Sequence, residues 1–177
     1  ELANRSKTFR EKLIVSNVGK HKSIPDDKQQ SNYGKKNKKR VLVIGQLEND
    51  VSIKHGAEKV KTNAELLALA CHENPEAQII YKAPIHGAMN KNPDNDKLEQ
   101  LLKTCLVINA ELPNSALFDN VDHVYDIASV SGFEALLRGI KVTTLGCPFY
   151  SGWGLTDDRQ PNSRRSRKLT IDQLVAG

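Results

Sequence analysis

Short runs of aliphatic residues alternate along this chain with longer stretches in which apolar residues recur every three or four positions. Leu2, Phe9, Leu13 and Ile14 predict a helix from Glu1 to about Val15, and a polar stretch from Ser16 to Arg40 follows with little to bury. Val41-Leu42-Val43-Ile44-Gly45 is a continuous aliphatic run closed by glycine, the pattern of a strand covered on both faces. From about Ala57 to His72, the positions Val60, Ala64, Leu67, Ala68 and Cys71 make one helical stripe, which Asn74-Pro75 stops. Ala77 to Tyr81 predicts a second strand, and Pro84 to Asp94 a polar loop. A short helix around Lys97 to Leu102 leads to a strand at Cys105 to Ile108, and another around Ser115 leads to a strand at His123 to Ile127. Ser131 to Arg138 then predicts a helix closed by Gly139, and Lys141 to Leu145 a further strand.

Strands and helices that take turns in this way imply the α/β class: a single Rossmann-like domain, its parallel sheet covered by helices with right-handed crossovers. In the resulting division, residues 1–39 form an N-terminal helix and polar linker and residues 40–177 the domain. Open sheets of this kind bind ligands outside the carboxyl ends of their strands. That rule selects the loops 46–55, 82–90, 109–114, 128–131 and 146–158.

At 177 residues and 38% hydrophobic, the chain can build one such core and not two. No run of 18 apolar residues is present, and the N-terminus lacks the apolar centre of a secretory signal, so the expected location is cytoplasmic. Cys71, Cys105 and Cys147 lie far apart with no CxxC spacing, which argues against a zinc site and a stapled secreted fold; they are expected to be reduced and structural, with no metal bound. The net charge of +5 comes from two clusters, 35–40 and 164–168. Such clusters either attract phosphates of any kind or form solvated tails. Neither carries interleaved aromatics or a recognition motif, so nucleic acid is not an expected partner.

The strongest local constellation is Ala128-Ser129-Val130-Ser131-Gly132-Phe133-Glu134, where a strand end runs directly into a helix. Ser131 is the expected N-cap, and Glu134 three residues on fits a capping box. The unpaired first-turn amides of such a helix also suit a phosphate, so capping and ligand binding both stand as readings. Gln46, Glu48 and Asp50 place an amide and two carboxylates just past the first strand, where an acidic group can act as general base or simply be solvated. Lys82 and His86 sit past the second strand, placed to meet phosphate charge, with no metal-ligand spacing among the histidines. The loop 146–156 holds Tyr150 and the single Trp153, and either closes over a base or sugar or folds back over the core.

Taken together, Val41 to Ile53, Asn74-Pro75-Glu76-Ala77, Ser131-Gly132-Phe133-Glu134-Ala135-Leu136-Leu137-Arg138-Gly139 and Pro148-Phe149-Tyr150-Ser151-Gly152-Trp153-Gly154-Leu155-Thr156 resemble the capsule polysaccharide Kdo transferases of the KpsC and LipB type from Gram-negative bacteria. Arg164-Arg165-Ser166-Arg167 and Leu169 to Val175 extend the resemblance over most of 40–176. It implies one lobe of a GT-B-like glycosyltransferase that uses CMP-Kdo as donor, needs no cofactor, and transfers β-Kdo to a lipid-linked glycan at the periphery of the inner membrane. Asp50, with Glu48 beside it, matches the acidic residue that acts on the acceptor hydroxyl. Gln46, Lys82, His86, Ser129, Ser131, Gly132, Glu134, Tyr150 and Trp153 match the donor-binding side. An acceptor lobe is expected to precede this one.

The family carries Lys/Arg-Pro-His-Pro-Asp/Glu after its second strand, whereas this chain reads Lys82-Ala83-Pro84-Ile85-His86-Gly87. Either the loop is remodelled so that His86 still reaches the phosphate, or donor binding is altered. The rival reading is a non-catalytic capsule assembly or export module that keeps the fold and docks on lipid or a partner protein.

Overall fold

The computed structural model describes residues 2–16, 37–84, 93–108 and 110–177. Five parallel strands form the body of the sheet: β1 (Arg40–Ile44), β2 (Gln78–Lys82), β3 (Leu106–Ile108), β4 (His123–Asp126) and β5 (Lys141–Thr144). A two-residue strand, β6 (Asp157–Asp158), pairs with β5 at the edge. The order is β3-β2-β1-β4-β5-β6, the Rossmann arrangement, and the direction of winding reverses between β1 and β4.

The strands read as buried runs because helices cover both faces. On one face α3 (Asn63–Glu73) and α4 (Pro93–Leu102) bury Leu66, Leu67, Ala70 and Leu98 against Val41, Val43, Ile79 and Tyr81. On the other, α5 (Asn114–Phe118) and α6 (Val130–Leu137) bury Leu117, Phe118, Ala135 and Leu136 against Leu42, Ile80, Val124 and Val142. Each fully buried aliphatic side chain contributes roughly 1.5–3 kcal/mol, so alternate residues of the central strand hold the two layers together.

Three helices depart from the expected pattern. The loop 46–55 contains α2 (Val51–Gly56), whose start is capped by Asp50 and whose end is set by the extended Ala57. The long helix consequently begins later than its apolar stripe suggests, at Thr62, where a capping box with Glu65 satisfies the first amides. Close to the C-terminus, α7 (Ile171–Ala176) starts on a second capping box, Thr170 with Gln173. The helix expected near the N-terminus is α1 (Leu2–Val15), and it packs on α7. There the Arg10 Nε bonds Asp172 at 2.7 Å. Of the polar linker, 17–36 lies outside the described residues.

Candidate functional site

The reversal between β1 and β4 opens the edge of the sheet at their carboxyl ends, and the loop after β1 is built to hold it. Gly45 is required by close approach: a Cβ there would stand 2.6 Å from the Tyr81 hydroxyl and 3.1 Å from the Lys82 carbonyl. The next residue, Gln46, is buried and its backbone pairs with a side chain, its N–H donating to Asn63 Oδ1 and its carbonyl accepting from Asn63 Nδ2, both at 2.9 Å. An asparagine at the start of α3 thus stands in for a neighbouring strand. The Gln46 amide then reaches both sides of the reversal, donating to Ser52 Oγ at 2.5 Å and accepting from the Ala128 N–H at 3.2 Å.

Both carboxylates of this loop have structural partners. Asp50 accepts from the Ser52 N–H at 2.8 Å and the Ser52 hydroxyl at 2.7 Å, which makes it the N-cap of α2. Glu48 is exposed, and its Oε1 accepts from the Asn63 N–H at 2.7 Å. Through Ser52 and Gln46, Asp50 is connected to Ala128, the residue before Ser129.

At the start of α6 the expectation of a Ser131 cap is corrected. The N-cap is Ser129, whose Oγ accepts from the Ser131 N–H at 3.1 Å, and its carbonyl takes the Gly132 N–H at 3.2 Å. These two amides are therefore bonded within the helix start, where the phosphate reading had them open. Ser129 is half-buried and Val130 exposed, whereas Ser131, Gly132 and Glu134 face inward. There is no Ser131–Glu134 capping box, because both side chains turn to Asn114: its Nδ2 donates to Ser131 Oγ at 2.8 Å and to Glu134 Oε2 at 3.1 Å.

Asn114 also binds the lysine. Lys82 Nζ, at the end of β2, donates to Asn114 Oδ1 at 2.7 Å and to the Leu112 carbonyl at 2.5 Å. Burial pulls its pKa down to about 8, opposed by the Glu134 carboxylate nearby. Lys82, Asn114, Ser131 and Glu134 are thus one buried network joining β2, α5 and α6. Asn114 was not singled out from the sequence; its only signal is its place in the selected loop 109–114, directly after Pro113. His86 lies outside the described residues.

A second buried group lies beneath the α6 start. Asp126, fully buried at the end of β4, accepts from the Tyr150 hydroxyl at 2.8 Å, and that hydroxyl also lies 2.7 Å from the Ser129 carbonyl. Burial raises the Asp126 pKa to about 7, against the lowering effect of Tyr150 and of the Gly132 and Ser129 amides, and its Oδ1 has no partner among the described residues. Tyr150 is completely buried, so it anchors the aromatic loop to the core and turns its hydroxyl inward. Gly132 is needed in the same place, because any Cβ would meet the Tyr150 hydroxyl and Asp126.

Trp153 is half-buried, its Nε1 donating to the Phe149 carbonyl at 2.9 Å, and Phe149 remains exposed. The Arg165 guanidinium lies 5.5 Å from the Trp153 ring and donates to the Pro148 and Ser151 carbonyls. The second basic cluster is therefore not uniformly a solvated tail: Arg165 clamps the aromatic loop, while Arg164, Arg167 and Lys168 are exposed. Gly152 and Gly154, at φ of 78° and 77°, supply the left-handed turns that this fold-back needs. Cavities of about 550, 500 and 510 Å³ lie elsewhere, between α1 and α7, beside Pro75 at the sheet's amino end, and between α1 and the end of α6. Among the described residues, no helix is long and apolar enough to cross a membrane.

Known proteins resemble this chain in sequence and in fold. Residues 4–176 match the family described as "Capsule polysaccharide biosynthesis protein". The chain is 45% identical over 141 residues to the lipopolysaccharide-processing protein LpsZ of Rhizobium meliloti, covering 78% of this chain and 32% of that protein. It is 41% identical over 150 residues to the capsule polysaccharide modification protein LipA of Neisseria meningitidis serogroup A, covering 77% of this chain and 20% of LipA. Two solved structures of Thermosulfurimonas dismutans KpsC are similar over 99% of this chain. One, described as a beta Kdo 2,7 transferase, is 36% identical with a TM-score of 0.73 and is covered over 52% of its length. The other, a beta Kdo 2,4 transferase, is 27% identical with a TM-score of 0.77 and is covered over 54%. The chain thus spans a third or less of these curated relatives and about half of the solved chains.

Proposed function

From the premise that this chain belongs to the capsule polysaccharide biosynthesis protein family, we propose that it is the donor-binding lobe of a glycosyltransferase that moves β-Kdo from CMP-Kdo to a lipid-linked glycan. The observation that carries this reading is the Gln46 bridge, which holds the Asp50 loop and the Ser129 start of α6 together at the reversal of the sheet. In this reading the cytidine phosphate lies over Ser129 and Val130, and Lys82 offsets its charge from below through the Asn114 network. Opening that network on binding exposes the Ser131 hydroxyl. Trp153 and Phe149, braced by Arg165, flank the base or sugar. Asp50, kept in place by Ser52, takes the proton of the acceptor hydroxyl as the glycosidic bond forms, which raises the nucleophilicity of that oxygen. The acceptor is held by the second lobe of the whole protein, at the cytoplasmic face of the membrane.

Asp50→Asn in the full-length enzyme is the discriminating change. Asparagine is as good an N-cap as aspartate, so the loop stays folded while the base is lost. Transfer of Kdo to a lipid-linked acceptor is expected to fall at least ~100-fold, in keeping with typical general-base contributions. Calorimetry with CMP on this chain should show binding that Ser131→Ala and Glu134→Ala weaken. A module that only docks on lipid or protein, the reading favoured by the inward-facing Ser131 and Glu134, would keep its capsule function in the Asp50→Asn variant and would not bind CMP.

A further inference from the structure

Three thiols are present, and two of them meet. Cys71, in the last turn of α3, and Cys105, in the turn between α4 and β3, are separated by 34 positions in the chain, yet their Sγ atoms stand 4.0 Å apart. Both side chains are partly accessible at the edge of the α3–α4 layer. The Cys105 backbone is fixed by its N–H bond to the Leu102 carbonyl at 3.2 Å, and the Thr104 hydroxyl lies 3.7 Å from its sulfur. Cys147 has different company: its Sγ receives the Asn162 amide at 3.2 Å and the Ser151 hydroxyl at 3.8 Å.

We propose that Cys71 and Cys105 are a redox modification site, a dithiol that hydrogen peroxide converts reversibly into an intramolecular disulfide. A disulfide needs the sulfurs at about 2.05 Å, so closing the observed gap takes about 2 Å of movement, within reach of side-chain rotation at two partly exposed positions. The Thr104 hydroxyl beside Cys105 distinguishes the two sulfurs. A thiol–thiolate contact between the pair lowers the pKa of Cys105, helped by Thr104, and the same contact with burial raises that of Cys71. Cys105 is therefore the attacking thiolate and Cys71 the resolving thiol.

The chemistry balances in two steps. The Cys105 thiolate attacks one peroxide oxygen, the O–O bond breaks, and the leaving hydroxide takes a proton to become water, leaving a sulfenic acid on Cys105. Cys71 sulfur then attacks the Cys105 sulfur, the S–O bond breaks, and the displaced hydroxide with the Cys71 proton forms a second water. The two sulfurs give up two electrons in total, and the peroxide accepts them. A thiol reductant reverses the reaction. The cross-link would tie the end of α3 to the entrance of β3, and α3 is the helix whose first residue, Asn63, holds Gln46.

The experiment treats the reduced chain with a small excess of hydrogen peroxide, blocks the remaining thiols with an alkylating reagent, and maps peptides by mass spectrometry. Free thiols are expected to fall from three to one, with a cross-linked peptide that joins Cys71 to Cys105 and lacks two hydrogen atoms. Dithiothreitol should restore all three. Cys147→Ser should leave the cross-link unchanged, and Cys71→Ser should leave a sulfenic acid on Cys105 that dimedone traps. Cys105→Ser and Cys105→Ala, each checked for native circular dichroism, should leave Cys71 reduced. The proposal is overturned if Cys147 is oxidised as fast as Cys105, if cross-links form mainly between chains, or if Cys105 proceeds to sulfinic acid while Cys71 stays free.

Discussion

Asp126→Asn converts the carboxylate under α6 into a measurement of how dry that part of the core is. The group is fully buried, and its pKa moves from the usual 3.8 to about 7, chiefly because burial withholds water from the charged form. Each pKa unit is worth about 1.36 kcal/mol, so the folded chain holds the ionised form at a cost of about 4 kcal/mol relative to the unfolded chain. The folded value is the higher one, so between about pH 4 and pH 7 the unfolded chain has released a proton that the folded chain keeps. Stability from this group is therefore fully present below the unfolded value and is lost as pH rises through about 7.

His123 acts in the opposite sense. Burial, with Lys39 and Lys141 nearby, holds its imidazole down at about 4, so stability is lost as pH falls from about 6.5 toward 4. In the wild-type chain the two slopes offset each other over much of this range. The asparagine variant cannot titrate and keeps an acceptor for Tyr150, and subtracting one curve from the other removes the His123 contribution. Variant minus wild type should thus grow by about 4 kcal/mol between pH 4 and pH 8, or roughly 8–16 °C in Tm for a chain of this length. Urea unfolding at closely spaced pH values reads this difference. Parallel curves, whatever their offset, would mean that Asp126 ionises as it would in water and that the carboxylate is not desolvated.

The same core supports two further tests. Asn114→Ala removes an acceptor from the buried Lys82 and a donor from Ser131 and Glu134, and should lower unfolding stability by about 2–4 kcal/mol in urea while weakening CMP binding by calorimetry. Gly132→Ala drives a methyl group against the Tyr150 hydroxyl and Asp126, a clash expected to cost about 1–3 kcal/mol in thermal unfolding. Adding Tyr150→Phe should recover part of that loss, since it takes away the oxygen the methyl group meets; strictly additive losses would place the strain elsewhere.

The strands and main helices were legible because buried parallel strands read as aliphatic runs and half-buried helices as stripes, and neither signal depends on distant residues. The alternation then implied a parallel sheet and pointed to the carboxyl ends of its strands as the place to look for a site, and the order β3-β2-β1-β4-β5-β6 with its parallel pairings bears out the parallel sheet. Helix α7 was also within reach, since Thr170 and Gln173 form a capping box at the required spacing, whereas α2 and β6 are too short to carry a periodicity. What the chain could not reveal by itself was the partnership of polar side chains. Asn63 with Gln46, Asn114 with Lys82 and Ser131, Tyr150 with Asp126, and Cys71 with Cys105 are pairs at least 17 positions apart. A hydrogen bond or a thiol contact is decided within about an ångström, and only the packed fold brings such residues to that distance. For the same reason the fold alone decides which serine caps α6: Ser129 and Ser131 are chemically alike, and the choice between them rests on which one the turn out of β4 leaves extended.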